Sequence, residues 1–253
     1  MNFKAERIRR KSVFLCCVNF TPERSLCPGN IFCNRTLETI PATYGFPLPK
    51  DGYLTGVREL CDHYGTLYIA DEVQTGLGRT GNLWGVDTYE VIPDILVMGK
   101  GLSGGIYPIS ATVISKKYGG WLRENGFAHI STFGGAEPGC YLASRVLDIC
   151  SDPKTLAMVR KNAEILGQGF KDLKTRYPFL KEVRQCGLVM GLEYDDPLWA
   201  VNMCKALYDN GVWAMIAGFD YSVMQCKPWL YLDPALINEI LSRFEKALKI
   251  CSP

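Results

Sequence analysis

The sequence has no apolar run near the about 18 residues that a membrane span requires. It has almost no net charge: 28 basic against 26 acidic residues leave +2. No global field therefore argues for nucleic acid or a membrane surface as partner. Histidine is scarce, with only His63 and His129, and none of the 11 cysteines forms a C-x-x-C pair. Zinc ligation at the usual spacings is therefore not expected. The cysteines are scattered and odd in number, which disfavours a disulfide scaffold. They read as reduced thiols of a cytoplasmic protein, acting mostly as small core residues. No repeat or low-complexity stretch interrupts the chain.

What is present is an ordinary globular composition, 47% apolar over 253 residues. A chain of this length buries roughly 70–75% of its unfolded surface, so a core forms without staples. One or two domains fit. Charge is unevenly placed. Residues 1–33 hold six basic residues (Lys4, Arg7, Arg9, Arg10, Lys11, Arg24) and two acids, leaving 22 basic and 24 acidic residues beyond. The apolar stretch after this basic start is short, contains Asn19 and lacks a small-residue cleavage site, so a basic leader fits better than a signal peptide.

From Asp51 helices and strands alternate. Tyr53, Leu54, Val57, Leu60 and Cys61 fall on one helical face, and Gly65 offers a stop. Thr66–Ala70, Asp94–Met98 and Ala111–Ser115 are short apolar runs without alternation, the pattern of strands covered on both faces. Helices are expected at Pro138–Cys150 and Lys154–Tyr177, then a strand pair around Val183–Glu193 and a helix near Leu198–Asp209. Strands near Val212–Ile216 and Ser222–Cys226 precede a closing helix from Pro234 to Ile250. The first half predicts a mostly parallel α/β sheet, and the last hundred residues a smaller α+β domain.

Asp71 directly follows the first of these strands, and Lys100 stands two residues beyond the second. Ligands of open α/β sheets bind beyond the carboxyl ends of strands. An acid and a lysine delivered there by two strands are candidates for one site. Lys100 is flanked by Gly99, Gly101, Gly104 and Gly105, which let backbone approach a bound group closely. A lysine in a partly desolvated pocket loses proton affinity and becomes a usable amine nucleophile. The same residues also read as a solvated lysine in a glycine turn and an aspartate capping a loop, and taken alone they leave both readings open. Gly76-Leu-Gly-Arg-Thr-Gly81 matches the dinucleotide fingerprint G-x-G-x-x-G, but Asp71–Thr75 separate it from the strand and Asn82–Gly85 is a poor helix start.

Leu67-Tyr-Ile-Ala-Asp71-Glu-Val-Gln74-Thr-Gly-Leu-Gly-Arg-Thr-Gly81 resembles the signature of the class III (omega-amino acid) aminotransferases. Asp94–Gly105 resembles their lysine segment, and His129-Ile-Ser-Thr132-Phe-Gly-Gly135 their downstream phosphate-site segment. The resemblance runs from about residue 34 to the C-terminus. It implies fold type I, with a partial large domain over 34–152, an α+β small domain over 153–253, and an atypical basic leader over 1–33. It implies pyridoxal 5′-phosphate as cofactor, held by a Schiff base (the internal aldimine) on Lys100, which then moves protons as base and acid. Asp71 would pair with the pyridine nitrogen and keep the ring an electron sink. Val73 would pack on the ring, Gln74 would hydrogen-bond its hydroxyl, and Thr132 would reach the phosphate from a neighbouring subunit. Such shared sites imply a homodimer. An amine or amino acid would donate its amino group to an oxo acid or aldehyde, with no nucleic acid or membrane partner.

The resemblance also has gaps. The family's amino-terminal half, with its phosphate cup and ring-stacking aromatic, has no counterpart here, and residues 1–33 do not resemble it. The chain thus reads as a truncated member. Glu38 opens a segment that resembles the family's Glu-Pro stretch and is a candidate substrate residue. The glutamate that gates an arginine in many members falls on Thr43, and that arginine's position on Gln225, a second candidate substrate residue. Joint loss leaves no unpaired charge and implies a substrate pair that does not rely on this clamp. Lys227 is a further candidate for binding a carboxylate, or a surface lysine. Two alternatives accompany transamination: a non-catalytic pseudoenzyme or dimer partner, and aminomutase, racemase or lyase chemistry on the same scaffold.

Overall fold

The computed structural model describes residues 34–127 and 129–252. The basic leader lies outside them. The described chain divides into two compact units. One comprises 34–39, Pro49–Leu77 and Trp84–Asp152; the other comprises Ile40–Leu48, Gly78–Leu83 and 153–252.

The first unit holds a four-stranded sheet in the order β1 (Asn34–Glu38), β2 (Leu67–Asp71), β3 (Ile95–Met98), β4 (Ala111–Ile114). β1, β2 and β3 run parallel, and β4 pairs antiparallel with β3. Tyr68, Ile69, Ala70, Ile95, Leu96 and Met98 are buried, as unalternated apolar runs require. Both central strands sit one residue later than their predicted starts, so Asp71 closes β2 rather than following it. β1 was not among the expected strands.

Helix α1 (Tyr53–Tyr64) corrects one expectation. Of the predicted apolar face only Leu54 and Cys61 are buried, while Tyr53 and Leu60 are 54% and 58% exposed. The inward line runs Leu54–Arg58–Cys61. Arg58 is drawn in because Asp94, at the base of β3, takes its guanidinium at 2.8 Å. The same carboxylate accepts the Tyr68 N–H at 2.9 Å, tying helix and both strands together. Beyond β4 come α2 (Gly120–Glu124) and α3 (Glu137–Cys150).

The second unit is a wholly antiparallel sheet, ordered β5 (Leu180–Cys186), β6 (Val189–Tyr194), β8 (Val223–Cys226), β7 (Met215–Ile216). Helices α4 (Pro153–Arg176), α5 (Pro197–Asp209) and α6 (Pro234–Cys251) close its core. Val159, Leu166 and Phe170 of α4 meet Leu188, Met190 and Leu192, with Met203 and Leu207 of α5 and Phe244 of α6 completing the cluster. Helices α5 and α6 each begin Asp-Pro: Asp196 accepts the Leu198 N–H and Asp233 the Leu236 N–H, both at 2.7 Å, the capped start such a dipeptide favours. Burial pushes the Cys226 thiol up to about 12 and Cys204 to about 11, which suits inert core thiols. No helix among the described residues is long and apolar enough to cross a membrane.

The β5–β6 turn packs closely on residues 78–83, the Leu188 N–H donating to the Arg79 carbonyl at 2.9 Å. Gly187 has φ +60, and a Cβ there would lie 2.4 Å from the Thr80 carbonyl carbon. Gly187→Ala is expected to destabilise by about 1–3 kcal/mol through strain and overlap. Removing only a cap, Asp233→Ala costs about 1 kcal/mol. Urea unfolding of the two variants checks both values and their order.

Candidate active site

Parallel pairing decides what reaches the sheet's carboxyl edge. Asp71 is the register partner of Val97 on β3, and the Glu72 N–H donates to the Val97 carbonyl at 2.9 Å. Lys100 follows Val97 by three residues and opens a short 3-10 turn, Lys100–Ser103. The acid and the amine therefore leave neighbouring strands at the same edge. On the other side, Glu38 of β1 is the register partner of Asp71. Parallel partners share a sheet face, so Glu38 and Asp71 stand on one face, and Lys100 follows β3 at the same edge.

Asp71 is half-buried, and one carboxylate oxygen accepts the Val73 N–H at 3.0 Å. Its second oxygen has no hydrogen bond to a described residue. Lys100 is exposed and makes no ion pair among the described residues. Its φ of +46 lies in the left-handed region, which costs a non-glycine residue about 1–2 kcal/mol. The turn holds it there: Leu102 is fully buried, and the Ser103 hydroxyl donates to the Tyr107 carbonyl while accepting the Tyr107 N–H. Val73 comes to this loop, one methyl lying 3.8 Å from the position a Cβ on Gly99 would take. Gln74 is half-buried in the following turn, without a hydrogen bond to a described residue.

Thr132 lies in the loop before α3, exposed, with no hydrogen bond to a described residue. The structure shows no bond joining it to Asp71 or Lys100. Its neighbours Phe127, Ile130 and Phe133 are 89%, 72% and 78% exposed. The G-x-G-x-x-G stretch forms turns and opens no helix.

Gln225 belongs to the second unit. It is buried on β8, donates to the Ala42 carbonyl at 2.7 Å and accepts the Lys227 ammonium at 2.5 Å. Lys227 also stands over the Phe46 ring. Ala42 immediately precedes Thr43, so Gln225 and the Thr43 segment adjoin.

The motif also contains a buried acid. Glu72 is 1% exposed, and its carboxylate accepts from the Thr39 and Thr75 hydroxyls and from the Gly85 and Val86 N–H groups. The available signal was an acid beside Asp71 in a glycine- and threonine-rich turn.

The family model for class III aminotransferases matches residues 30–248. The chain belongs to the class III aminotransferase family. These are pyridoxal-phosphate enzymes of fold type I. An uncharacterized aminotransferase of Archaeoglobus fulgidus is 46% identical over 215 residues, covering 85% of this chain and 51% of the relative. Among solved structures, ornithine δ-aminotransferase of Plasmodium falciparum is similar at 31% identity and TM-score 0.79, over 87% of this chain and 56% of that one. N-acetylornithine aminotransferase of Stenotrophomonas maltophilia is similar at 28% identity and TM-score 0.76, over 86% and 56%. The chain thus spans about half the length of the relatives it matches.

The strain at Lys100 is measurable. Lys100→Ala keeps a Cβ in the left-handed region, whereas Lys100→Gly does not. The glycine variant is expected to be more stable than the alanine variant by about 1 kcal/mol. Urea unfolding of the pair checks this.

Proposed function

We propose that this chain carries the reacting lysine and the ring-nitrogen acid of a pyridoxal-phosphate-dependent transaminase. The observation that carries the reading is the delivery of Asp71 and Lys100 to one sheet edge by adjacent parallel strands. A primary amine and a carboxylate with an uncommitted oxygen fit the aldehyde and ring-nitrogen ends of the cofactor. When bound, pyridoxal phosphate supplies the electrophilic carbon and the electron sink for transamination.

The chain's own groups do the rest. Asp71 holds the proton on the ring nitrogen through a charge-assisted hydrogen bond. Val73, beside the Lys100 loop, packs on the ring and keeps water from that face. Gln74 orients the ring through its hydroxyl. Lys100 Nζ takes a proton from the substrate carbon bearing the amino group and returns it, acting as base and then acid. Thr132 is assigned to the phosphate, in a homodimer whose subunits share sites. The bare apolar side chains around it support that docking role, since a second copy would cover them.

Similarity to ornithine and N-acetylornithine aminotransferases supports an amine or amino acid donor and an oxo acid or aldehyde acceptor. Glu38, in register with Asp71, is assigned to the substrate side. Gln225 is assigned there too, as a neutral residue; its amide is already bonded to Ala42 and Lys227, which supports substrates that need no second-carboxylate clamp. The free thiols among the described residues support a cytoplasmic setting. A second reading, a non-catalytic dimer partner, is favoured by the phosphate end, where Thr132 is the one assigned group and anion sites ordinarily gather several backbone donors.

The test is cofactor capture. Purified chain is mixed with pyridoxal phosphate, its visible absorbance recorded, and the product fixed with borohydride and mapped by mass spectrometry. A pyridoxyl group on Lys100, absent in Lys100→Ala, is expected. Asp71→Asn is expected to weaken cofactor affinity about 10- to 100-fold, the worth of a hydrogen bond to a charged group. Unmodified Lys100 in the native chain would sink the proposal.

A further inference from the structure

Glu72 is adjacent to Asp71 but occupies the opposite environment. Asp71 is half-exposed at the sheet edge, whereas Glu72 is buried behind it. An isolated buried carboxylate is strongly disfavoured. Glu72 answers this with a full set of donors. One oxygen takes the Thr39 hydroxyl and the Val86 N–H at 2.9 Å; the other takes the Thr75 hydroxyl at 2.8 Å and the Gly85 N–H at 2.7 Å. Four acceptor positions meet four donors, the capacity of an ionised carboxylate. Burial pushes its carboxyl up and these donors pull it back down, with burial the larger effect.

The donors come from separate places. Thr39 follows β1, and Gly85 and Val86 open the 3-10 helix Gly85–Tyr89. The approach to that helix start needs a glycine, because a Cβ on Gly85 would lie 3.0 Å from the Glu72 oxygen and 2.9 Å from the Thr75 Cβ. The Thr75 bond is different in kind. It spans three residues and, with the Gly76 N–H donating to the Glu72 carbonyl at 2.9 Å, closes a turn over residues 72–76. Inside that turn sits Val73, whose N–H is the donor that orients the Asp71 carboxylate. The orientation of Asp71 therefore depends on the turn, and the turn on Glu72.

We propose that Glu72 is a positioning residue: its buried carboxylate locks the 72–76 turn, and the turn's Val73 N–H sets the direction of the Asp71 carboxylate. The consequence for cofactor binding rests on the reading of Asp71 as the ring-nitrogen partner; the hold itself does not.

Two measurements separate these. The first is residue-resolved amide hydrogen exchange on the chain without cofactor. Glu72→Gln keeps the shape but places an NH2 among donors. Thr75→Val leaves Glu72 intact and removes only the bond closing the turn, so it serves if Glu72→Gln folds poorly. Thr39→Val removes a comparable bond outside the turn. Asp71→Ala marks full loss of the Val73 bond. Protection at Val73 is expected to fall at least tenfold in Glu72→Gln and Thr75→Val, approaching Asp71→Ala, and less than twofold in Thr39→Val. Tyr68, held by Asp94 at the far end of β2, is expected to keep its protection throughout. Val73 falling only in step with Tyr68, or equal loss in Thr39→Val, would overturn the proposal, since either marks general loosening.

The second measurement is affinity for pyridoxal phosphate by visible absorbance. Thr75→Val is expected to weaken it about tenfold, and the Asp71→Asn/Thr75→Val double variant to bind no more weakly than Asp71→Asn alone. Independent, multiplying losses would overturn the coupling to Asp71. If the native chain captures no cofactor while exchange behaves as expected, the transaminase reading fails and the hold of Glu72 on Asp71 stands.

Discussion

The parallel pairing of β2 with β3 is the constraint on which the site depends. Its register runs Ile69 to Ile95, Ala70 to Leu96 and Asp71 to Val97. A slip of one residue would exchange the side chains of the two covered faces and misfit the packing on both. Ile69, Ile95, Leu96 and Met98 are each buried, and each contributes on the order of 1.5–3 kcal/mol. Misfit at several such positions at once costs more than a single polar contact at the edge contributes. Asp71 and Lys100 need no direct bond to be held in relation; the hydrophobic register does it from below. Asp94, taking Arg58 and the Tyr68 N–H, secures the amino-terminal end of the same pair.

A register fixed this firmly tolerates local cost at its edge. Lys100 in the left-handed region is disfavoured by about 1–2 kcal/mol, and Glu72 is a carboxylate with almost no solvent. Neither is a defect of packing. Lys100 is held by the burial of Leu102 and the Ser103–Tyr107 bonds, and Glu72 by its four donors. One unfavourable placement is Lys100 itself and the other adjoins Asp71, the two groups that the proposed chemistry uses. Strain commonly persists where surrounding structure over-determines it, and here the over-determination has identifiable sources on each strand.

The central strands were legible because they are covered on both faces, and a short unalternated apolar run has few other uses. Asp71 and Lys100 were legible because an open sheet concentrates chemistry at strand ends, and family resemblance assigned them roles. Other features were not. β1 is hard to read because Asn34, Arg35 and Thr36 interrupt any apolar pattern. The inward face of α1 differs from the sequence pattern because periodicity ranks residues by apolarity, whereas Asp94 draws in Arg58 by charge. Glu72 is not legible because its partners lie 3 to 33 residues away in the chain. Only folding gathers Thr39, Thr75, Gly85 and Val86 around one carboxylate. Pattern along a chain reports which face is apolar; it does not report which buried polar group has found its donors.

The second unit shows the same logic applied to a charge that is absent. Many family members are expected to set an arginine against a glutamate at the positions of Gln225 and Thr43. Such a pair is costly to bury and costly to break, because removing one partner strands the other. Here both are neutral, and the amide of Gln225 serves as donor and acceptor at once, to Ala42 and from Lys227. The segment carrying Thr43 is fastened independently of side-chain charge at that position: the Phe219 N–H donates to the Thr43 carbonyl at 2.9 Å, and Arg184 donates to the Gly45 carbonyl at 3.1 Å. Arg184 is itself paired with Glu193 of β6, so the fastening charge is carried by the sheet and not by Thr43 or Gln225. The contacts that hold this segment therefore need no charge at Thr43 or Gln225.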